Sequence, residues 1–169
     1  ASSTRLFVAE ATGNRVKVFD VAAITDGENA INVLGQTTFT GASAANTQSG
    51  LSVPSGLAYD ASSTRLFVAE TSGSNRVKVF DVAAITDGEN AINVLGQTTF
   101  TGNSAGNSQS GLTSPQGLAY DSSNNKLFVV ESGSANRVKV FDVTAITDGE
   151  NAVDLIGQYS DNAYTASYT

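Results

Sequence analysis

Glutamate, arginine and aspartate recur as a set along the chain: Glu10, Arg15 and Asp20, then Glu70, Arg76 and Asp81, then Glu131, Arg137 and Asp142. Paired carboxylates serve as acid and base when their surroundings separate their pKa values. Repetition argues against catalysis here, because a single substrate does not need the same site three times. A glutamate and an arginine flanking a short connection are expected to meet across a hairpin. Glu10 with Arg15, Glu70 with Arg76 and Glu131 with Arg137 are therefore read as charge-assisted braces at the edge of each repeat. A second recurring group is Asp26-Gly-Glu-Asn29, seen again at 87–90 and 148–151. Clustered oxygens of this kind could gather a calcium ion. The spacing is not that of an EF-hand loop, however, and Asp-Gly between two strands is a turn signal, so a turn is preferred and no metal is expected. Gly102-Asn-Ser-Ala-Gly106 matches the G-x-S-x-G nucleophile pattern, but no helical pattern follows it and the corresponding Gly41-Ala-Ser-Ala-Ala45 breaks it.

Composition narrows the chemistry further. The 169 residues include no His, Cys, Met or Trp. The usual zinc, haem and iron–sulfur ligand sets and the histidine-based triads cannot be assembled from what remains, so neither an enzyme nor a cofactor is expected. Nine Lys and Arg stand against 16 Asp and Glu, for a net charge of −7. Such a chain is poorly suited to gripping phosphate backbones, and nucleic acid is not an expected partner. A hydrophobic share of 40% is enough for a packed core. No window approaches the roughly 18 consecutive apolar residues of a membrane span, no basic-then-apolar leader opens the sequence, and membrane insertion is not expected.

The elements that must position these groups are themselves repeated. Residues 1–60 and 61–121 are nearly identical across one insertion at Ser74, and a third, more divergent copy runs from Ser122 to about Gln158. Phe7, Phe67 and Phe128 mark the pitch. Within the second copy, Gly56–Asp60 and Arg65–Glu70 are short apolar runs separated by turn residues. Arg76–Val82 alternates with period two, Val77 and Val79 to one side, Lys78 and Phe80 to the other, and Ala91–Gly96 reads as a fourth strand. Four short strands per copy, with no 3.6-residue apolar period, predict an all-β meander. Repeated at this pitch, such a meander is the unit of a β-propeller, whose blades cover one another's faces. The expected blades are 1–36, 37–97 and 98–158, with 159–169 as a separate tail.

Pro54-x-Gly-Leu-Ala-Tyr-Asp60, Arg65-Leu-Phe-Val-Ala-Glu70 and Asn75-Arg-Val-Lys-Val-Phe-Asp81 together resemble the NHL repeat. The longer spacing, closing in Val94-Leu-Gly-Gln97 and a Thr/Asn/Ser/Gly-rich loop, is similar to bacterial NHL-type propellers. Glu at positions 10, 70 and 131 departs from the Asp more often found there. The resemblance implies a propeller, most often six-bladed, used as a binding scaffold, and names no ligand.

Three blades do not close a ring, and the chain opens on the second strand of a copy. The ring is therefore expected to be completed by oligomerisation: two chains for six blades, which the resemblance favours, or three for nine, with a filament as the open alternative. In the tail, Tyr164, Ala166 and Tyr168 alternate with Thr165, Ser167 and Thr169. Tyr159, Tyr164 and Tyr168 are expected at the oligomer interface, the tail adding a strand to a neighbouring chain; a frayed terminus is the alternative. The expected function is a non-enzymatic scaffold that self-assembles and binds a protein or glycan. A structural subunit of an extracellular polymer, or a designed or duplication-derived propeller with no selected ligand, are the alternatives. Abundant Ser, Thr, Asn and Gly with no Cys fit an extracellular or cell-surface location.

Overall fold

Alternating β-branched and charged residues bounded by Asn, Gly, Ser and Asp fold locally into hairpins, and these hairpins make up the whole architecture. The structure is a computed structural model that describes residues 4–132 and 135–157. Among them are eleven strands and no helix: β1 (Arg5–Glu10), β2 (Arg15–Asp20), β3 (Asn32–Leu34), β4 (Pro54–Asp60), β5 (Arg65–Glu70), β6 (Arg76–Asp81), β7 (Asn93–Leu95), β8 (Pro115–Asp121), β9 (Lys126–Glu131), β10 (Arg137–Asp142) and β11 (Asp154–Gly157). They form three antiparallel sheets, β1-β2-β3, β4-β5-β6-β7 and β8-β9-β10-β11, each in sequence order. The hairpin register sets Glu10 opposite Arg15, Glu70 opposite Arg76 and Glu131 opposite Arg137.

The fourth strand is shorter than the apolar run 91–96 predicts. β7 keeps only Asn93–Leu95, because each end of the run is engaged elsewhere. The Ala91 amide bonds to Gln48 O. Gly96 takes φ +88 and bridges in parallel to Gly111, a geometry a side chain would resist.

Each sheet buries one face against the opposite face of the next. Phe7, Val16 and Leu34 of the first sheet pack on Leu66, Val68, Phe80, Val82 and Ala91 of the second. One repeat later Phe67, Ala69, Val77, Val79 and Leu95 pack on Leu127, Val129, Phe141, Val143 and Ala152. Rings of neighbouring sheets meet at both joints, Phe7 with Tyr59 at 5.5 Å and Phe67 with Tyr120 at 5.9 Å between centroids. Close approach of β4 to β8 explains Gly56, where an added Cβ would stand 2.2 Å from Gln116 O.

Candidate functional site

The long connection between sheets is the least regular part of the repeat, and it folds onto the charged residues singled out above. Arg76 Nε lies 2.5 Å from Glu70 Oε2 and its Nη2 lies 3.0 Å from Oε1. Arg137 Nε lies 2.6 Å from Glu131 Oε2. Arg15 and Glu10 are paired in the same way. Braces at an open edge would be wet, but the side chains of the second and third pairs are fully buried. What covers the second is two connections: Arg76 donates to the carbonyls of Phe100 (2.7 Å) and Gly102 (3.0 Å) in the one that follows its sheet, and to Asn46 Oδ1 (3.1 Å) in the one that precedes it.

Beside each buried pair sits a lysine that strand alternation alone leaves without an assignment. Lys78 Nζ donates to Thr47 O at 2.7 Å and to Gly50 O, and Lys139 Nζ donates to Ser108 O at 2.7 Å and to Gly111 O. Burial pushes both ammonium groups down to about 8, against the opposing pull of Glu70 and Glu131 respectively. The loop is held at three further points. Gln48 exchanges two hydrogen bonds with Ala91, its Nε2 to Ala91 O at 2.8 Å and the Ala91 amide to its carbonyl at 3.1 Å. Gln109 does the same with Ala152, at 2.8 and 3.2 Å. The amides of Ser52 and Thr113 bond Glu70 Oε1 and Glu131 Oε1 at 2.7 and 2.6 Å. Leu51 and Leu112 complete the seat by entering the two inter-sheet cores. The seated sequences are Thr47-Gln-Ser-Gly-Leu51 and Ser108-Gln-Ser-Gly-Leu112.

In the first copy Arg15 Nη1 likewise donates to Gly41 O at 2.8 Å, but no described loop bonds the lysine. Lys17 Nζ stands 3.0 Å from Glu10 Oε1, and a cavity of about 440 Å³ opens beside it, lined by Lys17, Phe19, Glu28, Asn29, Ala30 and Phe39. At the far end of the chain a second cavity of about 440 Å³ is bordered by Val130, Arg137, Val138, Ile156 and Gly157. Val138 and Ile156 occupy the repeat positions of Val16 and Leu34, which share a core with Leu51 in the joint between the first two sheets.

The Asp-Gly-Glu-Asn segments are turns, with Gly27, Gly88 and Gly149 at φ +76, +71 and +70. Asp87 and Asp148 also reach across to the preceding sheet, which local spacing could not reveal. Asp87 Oδ1 accepts from Val33 N (3.0 Å) and Asn32 Nδ2 (3.3 Å), and Asp148 Oδ1 from Val94 N (3.0 Å) and Asn93 Nδ2 (3.2 Å). Asp20, Asp81 and Asp142 close local turns by accepting from Ala22, Ala83 and Thr144 amides. Tyr159, Tyr164 and Tyr168 lie outside the described residues.

No family model matches the chain, and no curated protein sequence matches it. Among solved structures the chain is similar to hydrazine synthase of Kuenenia stuttgartiensis, with a TM-score of 0.58 at 15% identity over 88% of this chain and 32% of that one. It is also similar to a functionally unknown protein from Desulfotomaculum acetoxidans DSM 771, with a TM-score of 0.53 at 14% identity over 91% of this chain and 39% of that one. The chain thus spans about a third of the length of the solved structures it matches. At these identities the likeness speaks to fold alone, and with the three stacked antiparallel sheets it fits a propeller-like architecture.

Proposed function

We propose that the chain is a non-enzymatic, propeller-like scaffold of NHL-type repeats that joins further copies of itself and offers its long loops to a protein or glycan partner. One observation carries the reading: the two open faces bear the residue set of the faces already joined inside the chain. Leu6 is 50% exposed, whereas Leu66 and Leu127 at the same repeat position are 1% and 0% exposed. At the other end Ile156 is 54% exposed where Leu34 and Leu95 are 0%. Apolar side chains left exposed at positions that are buried in the internal joints favour association with a second copy. The join runs front to back, so it closes into a ring of six sheets from two copies or nine from three, or continues as a filament. The last possibility is what favours a structural polymer as the second reading. An extracellular setting belongs to the same proposal.

Ile156 supplies the test. It is 54% exposed, whereas Leu34 and Leu95 at the same repeat position are buried in the internal joints. Ile156→Asp is expected to leave the unfolding midpoint near that of the parent chain while weakening self-association in sedimentation velocity by about tenfold or more. Association unchanged by Ile156→Asp, or absent in the parent chain, would contradict the reading.

A further inference from the structure

The first long connection folds back on itself beside a turn of the following sheet, and a cavity of about 190 Å³ lies between them. Gln36, Thr37, Ser43, Thr47, Ser49 and Gly88 border it, so the cavity is complete within the chain. Its walls are held from outside. Gln48 bonds Ala91, and the Thr47 and Gly50 carbonyls are tied to Lys78, which leaves Thr47 and Ser49, on either side of Gln48, on the cavity wall. Gln36 Nε2 fixes the opposite wall by donating to Asn14 O at 2.9 Å and Ser43 O at 2.8 Å. The Asp87-Gly88 turn approaches so closely that a Cβ on Gly88 would stand 2.8 Å from Thr37 Cγ2.

No charged side chain borders the cavity, and Ala45 is the one apolar side chain that does. What the cavity offers is hydroxyl groups. Those of Thr37, Ser43 and Ser49 have no partner among the described residues. The Thr47 hydroxyl accepts from the Gly50 amide at 3.0 Å and keeps its own proton to give. Gln36 directs its amide hydrogens to the two carbonyls, which leaves Oε1 as an acceptor. Each hydroxyl can both give and take a hydrogen bond. A carboxylate or phosphate would find no cation here, an ammonium would find no carboxylate, and an apolar group would strand the polar wall. A sugar ring is neutral, small and ringed by hydroxyls that also give and take, and it fits all of these conditions.

We propose that this cavity is a binding site for one neutral sugar ring of a glycan chain, with Thr37, Ser43, Thr47 and Ser49 exchanging hydrogen bonds with the ring hydroxyls. This deepens the loop-binding part of the proposed function, on which it rests, and is independent of how copies join. The same frame recurs one repeat later. Gln97 Nε2 donates to Asn75 O at 2.9 Å and Ser104 O at 2.7 Å, and the Gly111 amide donates to Ser108 Oγ at 3.0 Å. A Cβ on Gly149 would stand 2.8 Å from Thr98 Cγ2, and Ser104, Ser108 and Ser110 keep the hydroxyls. A single ring in so small a site is expected to bind weakly, with Kd of about 1 mM or above. A polymer that reaches both frames binds more tightly, because its second contact is intramolecular.

The test uses the full chain in native gels cast with dextran, mannan or galactan, three neutral polysaccharides, and with polygalacturonate as their charged counterpart. At least one neutral polysaccharide is expected to retard the chain, and free glucose, mannose or galactose, whichever matches it, is expected to reverse the retardation. Thr37→Val with Ser49→Ala, combined with Thr98→Val and Ser110→Ala, is expected to raise the apparent Kd by about tenfold or more. An unfolding midpoint near that of the parent chain shows that this variant remains folded, and Ser43→Ala with Ser104→Ala, at exposed positions, repeats the test should it unfold. Retardation that these variants keep would overturn the cavity as the site and leave a glycan-binding scaffold standing. Retardation as strong in polygalacturonate would overturn recognition of a neutral ring. A chain that none of the three neutral polysaccharides retards would overturn the site and remove glycan from the proposed function, leaving its protein partner and its self-association untouched.

Discussion

Lys17 Nζ is 3.0 Å from Glu10 Oε1, a contact made where no described loop bonds the lysine. In the second and third copies the matching glutamate oxygen bonds a loop amide, and the lysine bonds two loop carbonyls. A segment contributed from the preceding repeat is thus bonded to both buried clusters, and no such segment is described at the first.

Burial decides what that cluster contributes. Glu70 faces Arg76 and Lys78 with all three side chains fully buried, so Glu70→Gln leaves two cations without their counter-charge. A loss of about 3–5 kcal/mol in urea denaturation is expected. Glu10→Gln removes the same partner from a half-exposed cluster and is expected to cost under about 1 kcal/mol. Equal losses would show that the covering loop contributes nothing to the pair.

Two glycines at one repeat position should differ just as sharply. Gly56→Ala forces a methyl group toward Gln116 O at 2.2 Å in the backbone of β8, and a loss of about 3 kcal/mol or more is expected. Gly117→Ala brings a methyl group only to ordinary van der Waals contact with Val130 Cγ2 at 3.4 Å and should leave the fold nearly unchanged. Thermal unfolding of the two variants at low protein concentration separates them, and similar midpoints would contradict the packing of β4 on β8.

Two pH windows follow from the buried groups. Burial alone would raise the Asp60 carboxyl, but hydrogen bonds from Ser62, Ser63 and Arg65 outweigh it and hold the group far below its ordinary 3.8. The unfolded chain takes up that proton first. The contribution of Asp60 is thus complete above about pH 4 and declines as pH falls further. Lys78 and Lys139 behave oppositely: they release protons near 8 when folded and near 10.5 when unfolded, so the fold gains stability as pH rises from about 8 toward 10. Urea midpoints should climb between pH 8 and 9.5, and the climb should shrink in Lys78→Met. A fall across that window in the parent chain would contradict the buried-lysine account.

Much of this architecture is legible in the residues, and what escapes has a common cause. Period-two alternation and turn residues specify the β5–β6 hairpin, and the same pattern sets Glu70 against Arg76 because both depend on neighbours a few positions away. Lys78 alternates to the side of Phe80, yet what buries it is Thr47 and Gly50, 31 and 28 residues earlier. Asp87 reads locally as half of an Asp-Gly turn, and its second task, holding Val33 N, spans 54 residues. Local propensity carries no information about such partners; only the stacking of one repeat on another creates them.

If copies join as proposed, the same inter-sheet bond locates a weak place in their junction. Asn32 and Asn93 donate to Asp87 and Asp148, but the third copy has Asp154 at that position, where a neighbour's Asp26 would arrive. Replacing a donor by a second carboxylate sets like charges together. Asp154→Asn is expected to tighten self-association by about tenfold at pH 7. Unchanged association in sedimentation equilibrium would show that the junction between copies does not reproduce the internal one.

Native mass spectrometry across a protein concentration series tests most directly whether the open faces are covered by another copy. The account predicts a discrete species at twice the 17.3 kDa chain mass, with three copies or a longer open series as the other front-to-back solutions, each shifted toward single chains by Ile156→Asp. A species that stays at one chain mass over the whole series, with Leu6 and Ile156 still open to solvent labelling, would contradict it.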